Sequence, residues 1–122
     1  MHNLDIHDAR AQVNLANSHA AIGYVLLNMG KPVAAEPHFE HQRKIDHELV
    51  KQDPVRVEHQ YSLSEAYENL GRVAHQLKQK DRARLELKEA LRIYEALAAR
   101  NAISAEYANV PDRIKKELAE VR

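Results

Sequence analysis

Residues 60–77 read QYSLSEAYENLGRVAHQL, and residues 12–29, QVNLANSHAAIGYVLLNM, carry the same pattern, which indicates a repeat. The two stretches align at a shift of 48 residues, and the match continues without a gap to residues 53 and 101. Core positions of a repeat keep their packing while surface positions drift, so identities at apolar and glycine positions indicate a repeated structural unit. The identical pairs are Gln12 and Gln60, Leu15 and Leu63, Gly23 and Gly71, Val25 and Val73, Ala35 and Ala83, Ile45 and Ile93, and Leu49 and Leu97.

The sequence pattern of each unit predicts a pair of helices. In the second unit, Asp53 and Pro54 together are typical of a helix N-terminus. Apolar and small residues then recur in steps of three and four, which traces one face of a helix. A second helix is predicted to start after Asp81 and to end near residues 100–101.

The first unit and the tail predict three further helices. The first unit predicts helices over residues 8–29 and 32–52, with Gly30 as the stop signal between them. In the tail, a third unit is expected to begin at Ile103 and to be broken by Pro111. A short amphipathic helix through residues 112–121 is then expected to cap the stack, because a terminal unit must cover its apolar face.

Seven residues of the second unit carry a family resemblance. The tetratricopeptide repeat has, in chain order, a large aromatic residue, a Leu-Gly pair, a small residue, an Ala, a large residue and a second Ala. The residues that resemble these positions are Tyr67, Leu70, Gly71, Ala74, Ala83, Leu87 and Ala90. The resemblance implies an all-α, right-handed superhelix of antiparallel helix pairs in a single domain, 1–122. Its repeats would span about 7–54 and 55–102, followed by a capping segment at 103–122. The 48-residue unit exceeds the usual repeat of about 34 residues and resembles the long-helix variants of the family.

The resemblance also implies a function, which is to bind a peptide, a helix or a partner domain in a concave groove formed by the first helices of the repeats. Among the groove residues, Tyr24, Leu27 and Arg72 are expected to be exposed anchors, since Tyr and Arg are favoured at binding hot spots. The alternative is that these residues form only a solvated helix face. The predicted groove residues are Asn17, Tyr24, Leu27, Asn28, Glu65, Glu68, Arg72, His75 and Gln76.

One mode of binding is not predicted. A subfamily of these repeats holds a C-terminal carboxylate with a Lys three residues before the glycine and an Asn one residue after it. Here those positions are Ala20 and Tyr24 in the first unit, and Glu68 and Arg72 in the second. The charge-assisted clamp is therefore absent from the sequence.

Composition argues against several other classes of function. Lys plus Arg and Asp plus Glu both number 18, so no overall charge favours nucleic acid or anionic lipid. The chain has no cysteine, and its apolar runs are too short for a membrane span, so a cytoplasmic domain is expected. No nucleophile with a base and no glycine-rich phosphate loop is present, so we expect neither an enzyme nor a bound cofactor.

Three histidines lie close together in the second predicted helix, but their spacing does not favour a metal site. His38 and His41 can share one face of a helix, but His47 lies nine residues from His38 and no His-x-x-x-His pair accompanies them. No metal site is therefore predicted, and surface histidines that make binding sensitive to pH are the favoured alternative.

Self-association is the second functional hypothesis. About three repeats are usually needed for a stable array, so the chain either belongs to a longer protein or completes its core by homodimerisation. In the second case we expect the apolar residues of the first helix, together with Ile114 and Leu118 of the tail, to be buried between two copies.

Overall fold

The computed structural model describes residues 6–100 and 104–121, and within these ranges every regular element is helical. The elements, in chain order, are α1 (Ile6–Asn28), α2 (Pro32–Gln52), α3 (Val57–Gln76), α4 (Lys80–Ala99), a 3-10 turn (Ala105–Tyr107) and α5 (Val110–Glu120). α1 packs on α2, α2 on α3, α3 on α4, and α5 on α4. The predicted all-α fold of stacked helix pairs is confirmed.

Two glycines bring the helices of each pair into close contact. A Cβ atom on Gly23 would lie 2.7 Å from Cε1 of Phe39, and one on Gly71 would lie 2.7 Å from Cγ of Leu87. Phe39 and Leu87 are themselves equivalent at the 48-residue shift. The repeated glycine is therefore a repeated contact between backbone and side chain, in which any larger residue would push the helices apart.

The two helix hairpins turn in the same way. Gly30 has a φ of +74° and Lys78, its equivalent, has a φ of +62°. The next residue in each case donates its backbone N–H to a carbonyl five residues earlier, Lys31 to Leu26 and Gln79 to Ala74, both at 2.9 Å. This pattern is a Schellman motif, which satisfies the last carbonyls of a helix. Gly30 was predicted as a stop, but Lys78 gave no such signal because lysine seldom adopts this conformation.

Two apolar clusters form the core. One contains Leu27 of α1, Ala35 and Phe39 of α2, and Leu70 and Val73 of α3, so it joins the two helix pairs. The other lies between α3, α4 and α5 and includes Ala74, Leu87, Tyr94, Val110, Ile114 and Val121. The hydrophobic effect thus holds the hairpins to each other and α5 to the second hairpin.

Two predicted boundaries are wrong. α3 begins at Val57 rather than at Asp53, because Asp53 closes α2 by donating its N–H to the carbonyl of Leu49 and pairs its carboxylate with Arg56. Pro111 starts α5 instead of breaking a helix, since proline at the first helical turn needs no N–H partner. Ile103, where the third unit was expected to begin, lies outside the described residues.

The tail residues that were expected to be buried between two copies pack within the chain itself. Ile114 is fully buried within the chain, and Leu118 is half-buried against the same cluster. The hydroxyl of Tyr94 on α4 donates a hydrogen bond to the carbonyl of Tyr107, which fixes the segment leading into α5. The expectation that Ile114 is buried between two copies is therefore wrong.

Candidate partner-binding groove

Three clefts run along α3: two lie between α1, α3 and α5, and the third lies between α1, α2, α3 and the segment before α5. The central cleft has a volume of about 440 Å³ and lies between Tyr24 of α1, Glu65 and Arg72 of α3, and Arg113 of α5. A second cleft of about 270 Å³ shares Tyr24 and Arg72 with it. A third, of about 780 Å³, shares Tyr61 and Glu65 with the central one. We call the connected clefts the α1/α3/α5 groove.

The structure brings all the predicted groove residues to this groove. Asn17 lines the largest cleft, and the other eight line the central cleft or the second one. Asn17, Tyr24, Asn28 and Gln76 are exposed, whereas Glu65, Arg72 and His75 are half-buried. Ala20, which stands at a clamp position of the carboxylate-binding subfamily, also lines the central cleft.

Two of the predicted residues are buried instead of exposed. Leu27 is only 3% exposed because Ala35, Phe39, Leu70 and Val73 surround it, so the prediction that it is an exposed anchor is wrong. Glu68 is 1% exposed and forms part of the groove floor. Tyr24, at 50% exposure, remains as an open aromatic side chain at the junction of two clefts.

An ionic network holds α5 against α3 at the groove floor. The Arg113 guanidinium donates to both carboxylate oxygens of Glu68, at 2.6 and 2.9 Å. Arg72 donates to Glu68 at 2.8 Å, to Glu117 at 2.5 Å and to Asn69 at 3.1 Å. Arg72 was expected to be a free anchor, but the structure places it in this network, where it bridges the two helices.

The two carboxylates of this network have opposite pKa shifts. Burial alone would raise the pKa of Glu68, but hydrogen bonds and the charges of Arg113 and Arg72 hold it below its usual range. Burial, followed by the nearby Glu68 carboxylate, raises the pKa of Glu117. A side-chain hydrogen bond between the two carboxyl groups lowers the pKa of Glu68 and raises that of Glu117. The network is therefore most favourable when Glu68 carries the negative charge.

Arg113, Asn69 and Tyr61 also line the central cleft, and the sequence analysis missed them. A signal for Arg113 was present, because Glu68 and Arg72 on α3 are spaced i, i+4, as are Arg113 and Glu117 on α5, with the charge order reversed. Such complementary spacing fits two helices whose charged faces meet. Nothing local in the sequence shows that the tail folds back onto α3.

The largest cleft has an acidic wall. Asp46 of α2 is 1% exposed and accepts a hydrogen bond of 2.6 Å from the Ser62 hydroxyl. Burial raises its pKa to about 7. Glu65 accepts a hydrogen bond of 3.3 Å from the Gln42 amide, and burial raises its pKa as well. Both carboxylates accept hydrogen bonds from neutral donors, and desolvation is the largest cause of each raised pKa, outweighing at Glu65 the charges of Arg113 and Arg72.

The histidines of the first hairpin form a cluster of another kind. Nδ1 of His19 lies 3.1 Å from Nδ1 of His38, and the His19 ring stacks on that of His41 at 4.7 Å between centroids. Burial, and then the neighbouring His41 and His38, lower the pKa of His19. His47 instead contacts the Tyr67 hydroxyl at 2.8 Å. Within residues 6–100 and 104–121, no group of three or more histidine or acidic side chains is arranged to hold a metal ion.

The fold and the groove define a helical repeat protein built from stacked helix pairs. Residues 64–97, which run from α3 into α4, match the family model described as Tetratricopeptide repeat. The second helix pair is therefore a tetratricopeptide repeat, as its sequence indicates. No curated protein and no solved structure matches the chain significantly. Among the described residues, no helix is both long and apolar enough to cross a membrane.

Proposed function

We propose that this protein is an interaction module that binds a peptide, a helix or a partner domain in the α1/α3/α5 groove. The family supports the general part of this proposal, because the tetratricopeptide repeat is a protein-protein interaction repeat. The single observation that carries the specific part is the convergence of all nine predicted residues on three connected clefts. We further propose that residues 7–54, 55–102 and 103–122 act as one domain.

The chemistry of the groove walls supports a mixed apolar and polar ligand. The α1 wall carries no charged side chain, and it presents Ala20, Ala21, Tyr24 and Asn28 to the clefts. The α3 and α5 walls present charged and amide groups. An aromatic anchor beside fixed charges is typical of a surface that takes an amphipathic segment, because the apolar side provides affinity and the charges fix its orientation.

Tyr24 offers the sharpest test of the proposed groove. A random peptide library displayed on phage would be selected on the immobilised chain, and the affinity of the selected peptides would be measured by calorimetry. We expect Tyr24→Ala to weaken binding at least tenfold, since truncating an aromatic hot spot costs about 2 kcal/mol. Arg72 is unsuitable for this test because its removal would leave Glu68 without one of its cations.

Leu85→Ala is the matched control. Leu85 is 70% exposed on α4 and lines none of the three clefts. Its truncation removes a similar apolar area without touching the groove, so affinity should stay within twofold of the parent. Equal losses for the two variants, with unchanged circular dichroism, would place the binding site elsewhere.

Self-association is the second candidate function, and one observation favours it. α1 and the residue that follows it carry large apolar side chains that are about half exposed, including Leu15, Ile22, Val25 and Met29. A contiguous apolar surface of this kind usually has a partner. The tail cannot share this role in the way expected from sequence, since Ile114 is buried within the chain.

A further inference from the structure

A stripe of uncharged side chains follows the outer side of α1. Leu15, Ser18, Ile22, Val25 and Met29 lie three or four residues apart, so the first four share one face of α1 and Met29 continues that face just after the helix ends. All five are exposed, and the four large ones have exposed fractions between 46% for Leu15 and 59% for Met29. We call this set the outer stripe of α1.

The repeat itself shows what kind of element such a stripe packs against. At the 48-residue shift the outer stripe corresponds to a set of α3 residues, Leu63, Ala66, Leu70, Val73 and Leu77. The first four are buried, and Leu70 and Val73 pack against Ala35 and Phe39 of α2. The same face is therefore covered by a helix in the second repeat and exposed to solvent in the first.

The composition of α1 suits contact with an identical helix. Residues 11–29 contain no Asp, Glu, Lys or Arg, although charged residues make up 30% of the chain. A two-fold axis brings the side chains nearest to it against their own copies, so a charge close to the axis would face a like charge. An uncharged stripe avoids this repulsion, whereas a stripe built for a charged partner would carry complementary charges.

We propose that the outer stripe of α1 pairs with the same stripe of a second copy of this chain, antiparallel about a two-fold axis at Ile22. This inference rests on the self-association candidate and is independent of binding in the groove. A head-to-tail stack is disfavoured because α2 covers α3 and α5 covers α4, which leaves no equivalent helix face open to receive α1 within residues 6–100 and 104–121. The like-with-like arrangement uses the face that both copies expose.

The spacing of the stripe fixes the register of this pairing. With Ile22 facing Ile22 of the second copy, Leu15 and Met29 lie seven residues on either side and face each other. Ser18 then lies opposite Val25, so a small side chain meets a branched one. Alternating steps of three and four are the spacing at which two helices pack at a small crossing angle, about 8–10 Å apart.

Disulfide cross-linking tests this register directly, because the chain contains no cysteine. A residue on the two-fold axis places its Cα near that of its copy, within the ~7 Å that a disulfide requires. Ile22→Cys should therefore cross-link almost completely to a covalent dimer under mild oxidation at micromolar concentration. Leu85→Cys, the matched control on α4, should remain mostly monomeric. Equal cross-linking of the two variants would overturn the proposal.

Light scattering gives the second measurement. The parent chain is expected to be a dimer at tens of micromolar, Ile22→Glu a monomer, and Leu85→Glu still a dimer, with the helical circular dichroism of all three unchanged. A parent chain that is monomeric across the concentration range would overturn the proposal and leave the stripe to a helix of another protein. Tyr24→Ala should remain dimeric, and Ile22→Glu should bind the selected peptides with an affinity within twofold of the parent. Loss of dimerisation and loss of peptide binding in the groove can therefore be told apart.

Discussion

Substitution of Gly71 by alanine tests the helix contact on which the repeat depends. The added Cβ would lie 2.7 Å from Cγ and 2.8 Å from Cδ2 of Leu87, and 3.4 Å from the carbonyl oxygen of Ala83. Leu87 is 1% exposed and packed in the core between α3, α4 and α5, so its branch point cannot move aside without displacing other core side chains. We therefore expect α3 and α4 to separate slightly and the protein to lose stability.

The magnitude follows from two opposing contributions. Overpacking a tight core costs typically 1–3 kcal/mol, and contact with a branch-point atom favours the upper end of that range. Alanine in place of a helical glycine gains about 1 kcal/mol. The expected net loss is about 2 kcal/mol. With an unfolding entropy of about 2.1 cal/mol/K per residue, a chain of this length should show a Tm roughly 8 °C lower.

Urea unfolding followed by circular dichroism measures this loss. Ala96→Gly, at an exposed position on α4, is the matched control and isolates the helix propensity, so it should cost about 1 kcal/mol. If Gly71→Ala instead stabilised the protein by about 1 kcal/mol, the added methyl group would fit without strain. The glycine would then not set the approach of the two helices.

Two further predictions concern buried carboxylates. Burial raises the pKa of Asp46 from 3.8 to about 7. The favourable contribution of the protonated Asp46 to folding stability is therefore complete below pH 4 and is lost as the pH rises through 7. Urea titrations should therefore show that Asp46→Asn is more stable than the parent at pH 8, by roughly 1–4 kcal/mol, and that the difference shrinks towards pH 4. The same difference in stability at both pH values would show that the charge of Asp46 is not the cause. Glu68→Gln removes the buried anion that the half-buried Arg113 and Arg72 share and should cost about 2 kcal/mol, while Glu89→Gln, at a more exposed pair, should cost less than about 1 kcal/mol. Equal urea midpoints for these two variants would show that the network does not hold α5 in place.

Local signals predicted most of the helices, because helix boundaries depend on nearby residues. Pro32 and Gly30 mark the hairpin of the first unit, and α2 ends at Gln52 as predicted. The predicted start of α3 at Asp53 is wrong because an Asp-Pro pair suits both the end of one helix and the start of the next. In the structure the backbone N–H of Asp53 still belongs to α2.

The groove could be predicted only in part, since long-range packing decides which of its residues are open. Helical periodicity placed Tyr24 and Leu27 on the same side of α1, but Phe39 and Val73 cover Leu27 and not Tyr24. Neither Arg113 nor Asp46 stood out locally as part of the groove. Asp46 corresponds to Tyr94 at the repeat shift, and each makes a hydrogen bond to a later segment, Asp46 to Ser62 and Tyr94 to Tyr107.

Amide chemical shifts would locate the binding surface, which we propose to be the α1/α3/α5 groove. The ¹⁵N-labelled chain would be titrated with a peptide selected on the parent protein, and shift changes would be assigned residue by residue. We expect the largest changes at Asn17, Tyr24, Asn28, Glu65, His75 and Gln76. Changes centred instead on the outer stripe of α1 or on the exposed side of α4 around Leu85 would contradict it.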